Sequence, residues 1–180
     1  MKNLIITLSL ISLLFLASSC PKNNGSNPSN SNPQLPAATQ TGANTYGCLL
    51  NGEVWIPGGE PGPFQVYGFI AQYYLGNFTL SAAKKNDTTP LTGIYWDHTN
   101  VYHTGTYYFN GNQATSATFS IYGEYGSTTT NADSLKNNVT ITRFDTVNSV
   151  ISGTFNLFFT QQGKDTMRIT DGRFDVKYTN

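Results

Sequence analysis

The chain has 180 residues, with ten basic and ten acidic side chains and a formal net charge of zero. This balance provides neither a basic patch for nucleic acid nor a basic run for an anionic membrane surface. With two cysteines and two histidines, the chain also lacks the clustered Cys and His ligands of a structural metal site.

The N-terminus is typical of a bacterial lipoprotein signal peptide. The first three residues carry one positive charge, an apolar run extends to Leu16, and the small residues of the sequence ASSC lead to Cys20. The run is shorter than the about 20 residues that a membrane-spanning helix needs. We therefore expect residues 1–19 to be cleaved and Cys20 to carry lipid, palmitate included; two or three acyl chains hold a protein on a membrane. The alternative is an ordinary signal peptide that contains a cysteine.

The segment after the lipidation site is rich in Asn, Ser, Pro and Gly and contains no aromatic residue. Such a composition buries too little apolar surface to offset the entropy of ordering. We predict that residues 20–43 are the lipidated cysteine and a disordered tether, the alternative being a folded N-terminal subdomain. With Cys20 acylated, Cys48 is the remaining thiol, which excludes an intramolecular disulfide.

Residues 44–180 are predicted to form a single all-β domain, because apolar and polar residues alternate with period two between turn residues. The first unit is a hairpin over residues 46–57 around an Asn51-Gly52 turn. It places Leu49 opposite Val54, and Cys48 opposite Trp55. A lone cysteine facing a tryptophan is more typical of a buried small hydrophobe than of a nucleophile.

Further strand candidates follow at short intervals. They are residues 65–74, 77–83, 91–96, 105–109, 117–125, 138–144 and 149–160. A last hairpin is predicted over residues 167–178, with Asp171-Gly172 at its turn. It puts Met167, Ile169, Phe174 and Val176 on the core face and pairs Arg168 with Asp175 in solvent. About ten strands result, arranged as an antiparallel β-sandwich or a flattened β-barrel built mainly from consecutive hairpins.

The sequence contains no phosphate-binding loop, no Ser-His-Asp arrangement and no glycosidase-like carboxylate pair, so we predict a protein that is not an enzyme and needs no cofactor. The one polar cluster of interest spans residues 95–103 and contains Asp97, His98 and His103. Two imidazoles and a carboxylate are ligands that a metal accepts. Their spacing matches no familiar metal motif, and we expect no metal site.

Aromatic side chains are dense between residues 64 and 109. The candidates for ligand contact are Tyr73, Tyr95, Trp96 and Tyr102. Tyrosine lies readily at a surface because its ring is apolar and its hydroxyl is hydrated. These rings either form a cleft or platform on which sugars or a partner protein stack, or pack in a core that is covered on both sides.

Five stretches of the chain are distinctive when taken together: the lipobox ASSC, the polar tether, GANTYGCLLNGEVWIP, ISGTF and ITDGRFDV. In this combination the chain resembles a family of Bacteroidota envelope lipoproteins whose domain has no assigned function. The resemblance covers roughly Ala43 to Tyr178. It implies an envelope lipoprotein with an all-β domain, and it carries over no catalytic or binding residue.

We therefore expect a membrane-anchored, noncatalytic binding module for a glycan, a small ligand or a protein. The alternative is a structural or accessory subunit of an outer-membrane complex.

Surface-exported lipoproteins of this phylum tend to carry acidic residues after the cysteine, whereas residues 21–30 contain none. This predicts an outer-membrane protein that faces the periplasm. Asp-Ser/Thr triplets resemble O-glycosylation acceptors, with Thr88 and Ser134 as candidates, or simply mark turns.

Overall fold

The computed structural model describes residues 34–58, 68–86, 89–109, 115–121, 136–159 and 166–180. The predicted signal peptide, Cys20, Thr88 and Ser134 lie outside these ranges. Within them ten strands are present: β1 (Thr45–Leu50), β2 (Glu53–Trp55), β3 (Gly68–Tyr74), β4 (Asn77–Asn86), β5 (Thr89–His98), β6 (Gly105–Tyr108), β7 (Thr115–Ile121), β8 (Asn138–Asp145), β9 (Val150–Phe159) and β10 (Met167–Lys177). None of the described residues forms a helix that could span a bilayer.

The strands form two antiparallel sheets, which confirms the all-β prediction. The six-stranded sheet has the order β2-β1-β10-β9-β8-β6, and the four-stranded sheet has the order β3-β4-β5-β7. Most neighbours among these described strands are consecutive in the chain, as expected for a fold built mainly from hairpins. The two sheets are not joined into one closed sheet, so the architecture is that of a sandwich rather than a barrel.

The core lies between the sheets and is filled by the inward side chains of the alternating strands. Trp96 of β5 is at its centre and contacts the rings of Phe78, Phe109, Phe155 and Phe174 at centroid distances of 5.2 to 6.2 Å. Each of these side chains is at least 98 % buried. Burying one large apolar side chain stabilises a fold by about 1.5–3 kcal/mol, so this aromatic cluster dominates the packing.

The first predicted hairpin is confirmed in turn and register. Asn51 and Gly52 have φ values of 51° and 88°, as a type I′ turn requires. Cys48 faces Trp55, and Leu49 faces Val54. Local turn chemistry is sufficient to set this pairing, because the turn residues and the strands they join are adjacent in sequence.

The predicted hairpin at Asp171-Gly172 is wrong: β10 continues through both residues as one strand between β1 and β9. The positive φ of Asp171, 51°, belongs to a bulge at which the register with β9 shifts between Ile169 and Gly172. The inserted residue shifts the alternation of inward and outward side chains by one position. A two-residue turn would have the same effect on the residues that follow it. Ile169 and Phe174 are therefore both buried, as predicted from the turn.

The predicted pairing of Arg168 with Asp175 is wrong for the same reason. Because the strand does not fold back, Arg168 lies opposite Phe158, and Asp175 lies opposite Ser152 of β9. Asp175 is 1 % exposed rather than in solvent. A carboxylate buried to this extent requires several hydrogen-bond donors around its oxygens.

Candidate functional site

The outer face of the six-stranded sheet is covered by the N-terminal strap, which we define as residues 34–43. Asp175 holds the strap through its carboxylate. The Oδ2 atom accepts hydrogen bonds from Thr39 Oγ1 at 2.7 Å, from the Thr41 backbone N–H at 2.9 Å and from the Ala43 N–H at 3.1 Å. The Oδ1 atom accepts from the Gly42 N–H at 2.7 Å and from Ser152 Oγ at 2.7 Å.

Two arginines fix the strap further along its length. Arg143 donates to the carbonyl oxygen of Gln40, and Arg173 donates to that of Pro36 at 3.3 Å. The strap therefore runs across β1, β10, β9 and β8, although its composition predicts a disordered tether. The physical reason is that a buried carboxylate attracts consecutive backbone N–H groups, a property that composition does not report.

The environment of Asp175 favours its ionised form. Burial alone would raise the pKa of the carboxyl, but the hydrogen bonds from Ser152, Thr39 and the backbone N–H groups of Ala43 and Thr41 outweigh it. The net result is a pKa below the usual range for an aspartate. The carboxylate is thus used internally and has little capacity left for a ligand.

The outer face of the four-stranded sheet, by contrast, has no described segment across it, and we call it the open face. Its side chains come from alternate positions of β3, β4, β5 and β7 and are mostly short. One row across the strands is Ile70, Ser81, Tyr95 and Thr118, and the next is Gln72, Thr79, Asp97 and Ser116. The result is a shallow polar surface with one aromatic ring near its middle.

Tyr95 and Asp97 are neighbours on this open face, two residues apart on β5. Tyr95 is 38 % exposed. Burial of part of the ring, followed by the nearby charge of Asp97, raises the pKa of its hydroxyl, and a hydrogen bond with Thr79 partly offsets this. Asp97 accepts a hydrogen bond from Ser116 Oγ, which orients the carboxylate.

The other aromatic candidates lie elsewhere. Trp96 has no exposed area and belongs to the core, so it cannot contact a ligand from solvent. Tyr73 is half-buried between the rings of Phe144 and Tyr178, both at 5.3 Å. Tyr102 is 58 % exposed but lies on a loop at the end of the sandwich. Of the predicted set, Tyr95 is placed on the open face.

The candidate metal ligands are not brought together. Both ring nitrogens of His98 face backbone carbonyl oxygens, those of Thr99 at 2.6 Å and Tyr108 at 3.3 Å. His103 Nδ1 faces the carbonyl oxygen of Thr104, and Asp97 is engaged on the open face. In the described ranges, no group of three or more His, Cys, Asp or Glu side chains is placed to hold a metal ion.

Cys48 is a free, buried thiol facing the core. Burial raises its pKa to about 12, although the charge of Lys84 acts in the opposite direction. A thiol in this state is not a nucleophile at neutral pH.

Sequence reasoning missed the companions of Tyr95 on the open face. Gln72, Thr79 and Ser116 lie on three different strands, and only the sheet order places them together. The available signal was the period-two alternation, which identifies outward positions but not their neighbours. No protein-family model matches the chain, and no curated protein or solved structure shows significant similarity to it.

Proposed function

We propose that the chain is a membrane-anchored envelope lipoprotein whose β-sandwich is a noncatalytic binding module, with a glycan as the ligand of the open face. The observation that carries this proposal is the exposed ring of Tyr95 beside the oriented carboxylate of Asp97. A sugar presents an apolar C–H face and a rim of hydroxyl groups. An aromatic ring and a hydrogen-bond acceptor at its edge complement these two features.

The shape of the open face supports an extended ligand rather than a small enclosed one. Short side chains surround Tyr95 on both neighbouring strands, with Ser81 on β4 and Thr118 on β7 directly opposite. Because these neighbours are short, no large side chain stands directly opposite the half-exposed ring. Asp97 keeps acceptor sites beside those that Ser116 and the Tyr95 hydroxyl engage, because a carboxylate offers about four lone pairs.

Lipidation of Cys20 is the second part of the proposal. The apolar run and the sequence ASSC support it, and the absence of acidic residues in 21–30 supports an outer-membrane location on the periplasmic side. Protease added to intact cells should then spare the domain and digest it after lysis. Thr88 and Ser134 remain candidate O-glycosylation sites, and the intact mass of the native protein tests them.

The test of glycan binding compares variants of the full chain on a panel of envelope polysaccharides and on a glycan array. Tyr95→Ala and Asp97→Asn should each weaken binding by about tenfold or more, since each removes one main contact. Tyr108→Ala is the matched control, because this tyrosine is 46 % exposed on the other sheet. Binding that is lost equally in the control, or retained in both test variants, would contradict the proposal.

The alternative, an accessory subunit of an outer-membrane complex, gives a different result in the same material. Affinity purification of the tagged protein from its own membranes would then recover a protein partner in stoichiometric amount. No glycan would bind, and Tyr95→Ala would have no effect on recovery of the partner.

A further inference from the structure

The end of the sandwich at the β3–β4 turn carries a group of exposed apolar side chains, which we call the apolar tips. They are Tyr74 (65 % exposed), Leu75 (73 %), Tyr102 (58 %) and Val147 (90 %). Among the large hydrophobic side chains that the structure describes, these four are the most exposed. Tyr74 ends β3, and the other three lie on three separate loops, so sequence proximity does not explain their grouping.

Contacts around Tyr73 show that the three loops share one end of the domain. Its hydroxyl donates to the carbonyl oxygen of Val101 at 2.9 Å, in the loop that contains Tyr102. Its ring contacts Phe144 at the end of β8 and Tyr178 after β10. The N–H of Tyr178 in turn donates to the carbonyl oxygen of Ser149, in the loop that contains Val147.

Leu75 occupies a position that folding alone would not favour. It has a φ of 47°, followed by Gly76 at 88°, in a turn where Asn, Asp or Gly is preferred. A bulky side chain in this left-handed region is an outlier. The turn is held in place by Tyr102, whose hydroxyl donates to the Leu75 carbonyl oxygen at 3.3 Å. A strained and exposed leucine on a fixed turn indicates a role outside the fold.

The loops around the tips carry little charge. In the described part of this end, Asp145 pairs with Arg143 at 2.6 Å and also accepts from the N–H groups of Val147 and Asn148. The other neighbours are Asn, Thr, Ser and Gly, together with His103 and the cationic Lys177 at the end of β10. Exposed apolar side chains beside a paired aspartate and a lysine suit the interfacial region of a lipid bilayer, where Tyr and Leu are favoured.

The geometry of the strap is compatible with this partner. It starts beside Gly47 and Arg173 and ends beside Lys177. Arg173 and Lys177 are four residues apart on β10, and Lys177 lies at the end of β10 that is near the apolar tips. The start of the strap is therefore about 13 Å from that end, measured along the strand. The 13 residues between Cys20 and Gln34 can span at most about 45 Å, at about 3.5 Å for each residue. The lipid on Cys20 and the apolar tips can therefore meet the same bilayer.

We propose that the apolar tips insert into the surface of the bilayer that holds the lipid anchor, giving the domain a second contact and a fixed orientation. The inference rests on the proposed lipidation of Cys20. With the strands then directed away from the membrane, the open face stands at its side and stays accessible to a glycan.

The experiment uses the full-length lipidated chain with one added cysteine, labelled with an environment-sensitive fluorophore. Native Cys48 is buried and Cys20 is acylated, so labelling should be confined to the new site. Leu75→Cys and Tyr102→Cys report on two tips, and Glu53→Cys is the control on the exposed hairpin between β1 and β2. The protein is reconstituted into phosphatidylethanolamine–phosphatidylglycerol vesicles and collected by flotation.

The expected result is a blue-shifted emission at positions 75 and 102 that lipid-borne quenchers reduce, with no change at position 53. In protein labelled at 102, Leu75→Asp should abolish the shift. Ile70→Asp should not, because this side chain is 51 % exposed on the open face and away from the tips.

Three results would overturn the inference. Labels at 75 and 102 that stay water-like in floated protein overturn it and leave the anchor intact. A chain that does not float overturns both the anchor and the tips. A blue shift that appears without vesicles as the protein concentration rises assigns the tips to contact between copies of the chain.

Discussion

Replacing Asp175 by asparagine tests whether the N-terminal strap is an integral part of the domain. The two oxygens of Asp175 accept from six donors, of which three are backbone N–H groups of the strap. Asparagine keeps one oxygen and turns an NH2 group toward the donors on the other side. Depending on the side that the NH2 group takes, either the Gly42 N–H or the N–H groups of both Thr41 and Ala43 lose their acceptor.

The magnitude follows from the cost of a buried donor without a partner, about 1–3 kcal/mol for each. The full sum is not reached, because the strap can detach and expose its N–H groups to water. We therefore expect Asp175→Asn to lower the free energy of unfolding by about 3 kcal/mol at neutral pH. Hydrogen exchange at the amides of Thr41, Gly42 and Ala43 should accelerate in the same variant.

The effect should depend on pH in a definite direction. The pKa of Asp175 is lower in the folded chain than the value of about 3.9 in an unfolded chain. The stabilisation by the carboxylate is therefore complete above about pH 5 and is lost as the pH falls below about 4 toward the folded pKa. The difference in unfolding free energy between the native chain and Asp175→Asn should be constant at higher pH and shrink in acid.

Urea denaturation at a series of pH values measures this difference. Asp171→Asn is the matched control, because Asp171 is exposed and asparagine also tolerates a φ of 51°. A loss of less than about 1 kcal/mol for Asp175→Asn, with the strap amides still protected, would refute the reasoning. A loss that does not vary with pH would show that the charge is not the cause.

Packing, burial and lipidation each give one further expectation. Gly153→Ala should lower the unfolding free energy by about 3 kcal/mol. An added Cβ would overlap the carbonyl oxygen of Thr140 and meet the ring of Phe174 at 2.8 Å. An unchanged denaturation midpoint would contradict this expectation. Cys48 should not react with a thiol reagent in the native protein at about pH 9, because burial raises its pKa to about 12. Rapid native-state labelling, measured by mass, would disprove this. Cys20→Ser should move the protein to the aqueous phase of Triton X-114, and retention in the detergent phase would count against lipidation.

The local features of the fold could be predicted from the sequence. The β1–β2 hairpin was predicted with its register, because Asn51 and Gly52 determine the turn and the partners are only a few residues away. The all-β class and the inward positions followed from period-two alternation, which reflects the burial of one side of a strand.

The bulge at Asp171 shows where local signals fail. A two-residue turn and a one-residue insertion both need a positive φ, and both move the pattern to the other face. The sequence around Asp171-Gly172 therefore fits either structure. The choice is made by β1 and β9, which flank β10 on both sides and require it to continue as a single strand.

The candidate site depended still more on tertiary structure. Tyr95 and Trp96 are adjacent aromatics that the sequence ranked together, yet one is on the open face and the other has no exposed area. Asp175 and Ser152 are 23 residues apart in sequence and meet only when β9 and β10 pair. Periodicity and turn residues, which act over a few positions, determined the strands from the sequence alone. The sheet order, which brings distant residues into contact, decided the open face, the strap and the apolar tips.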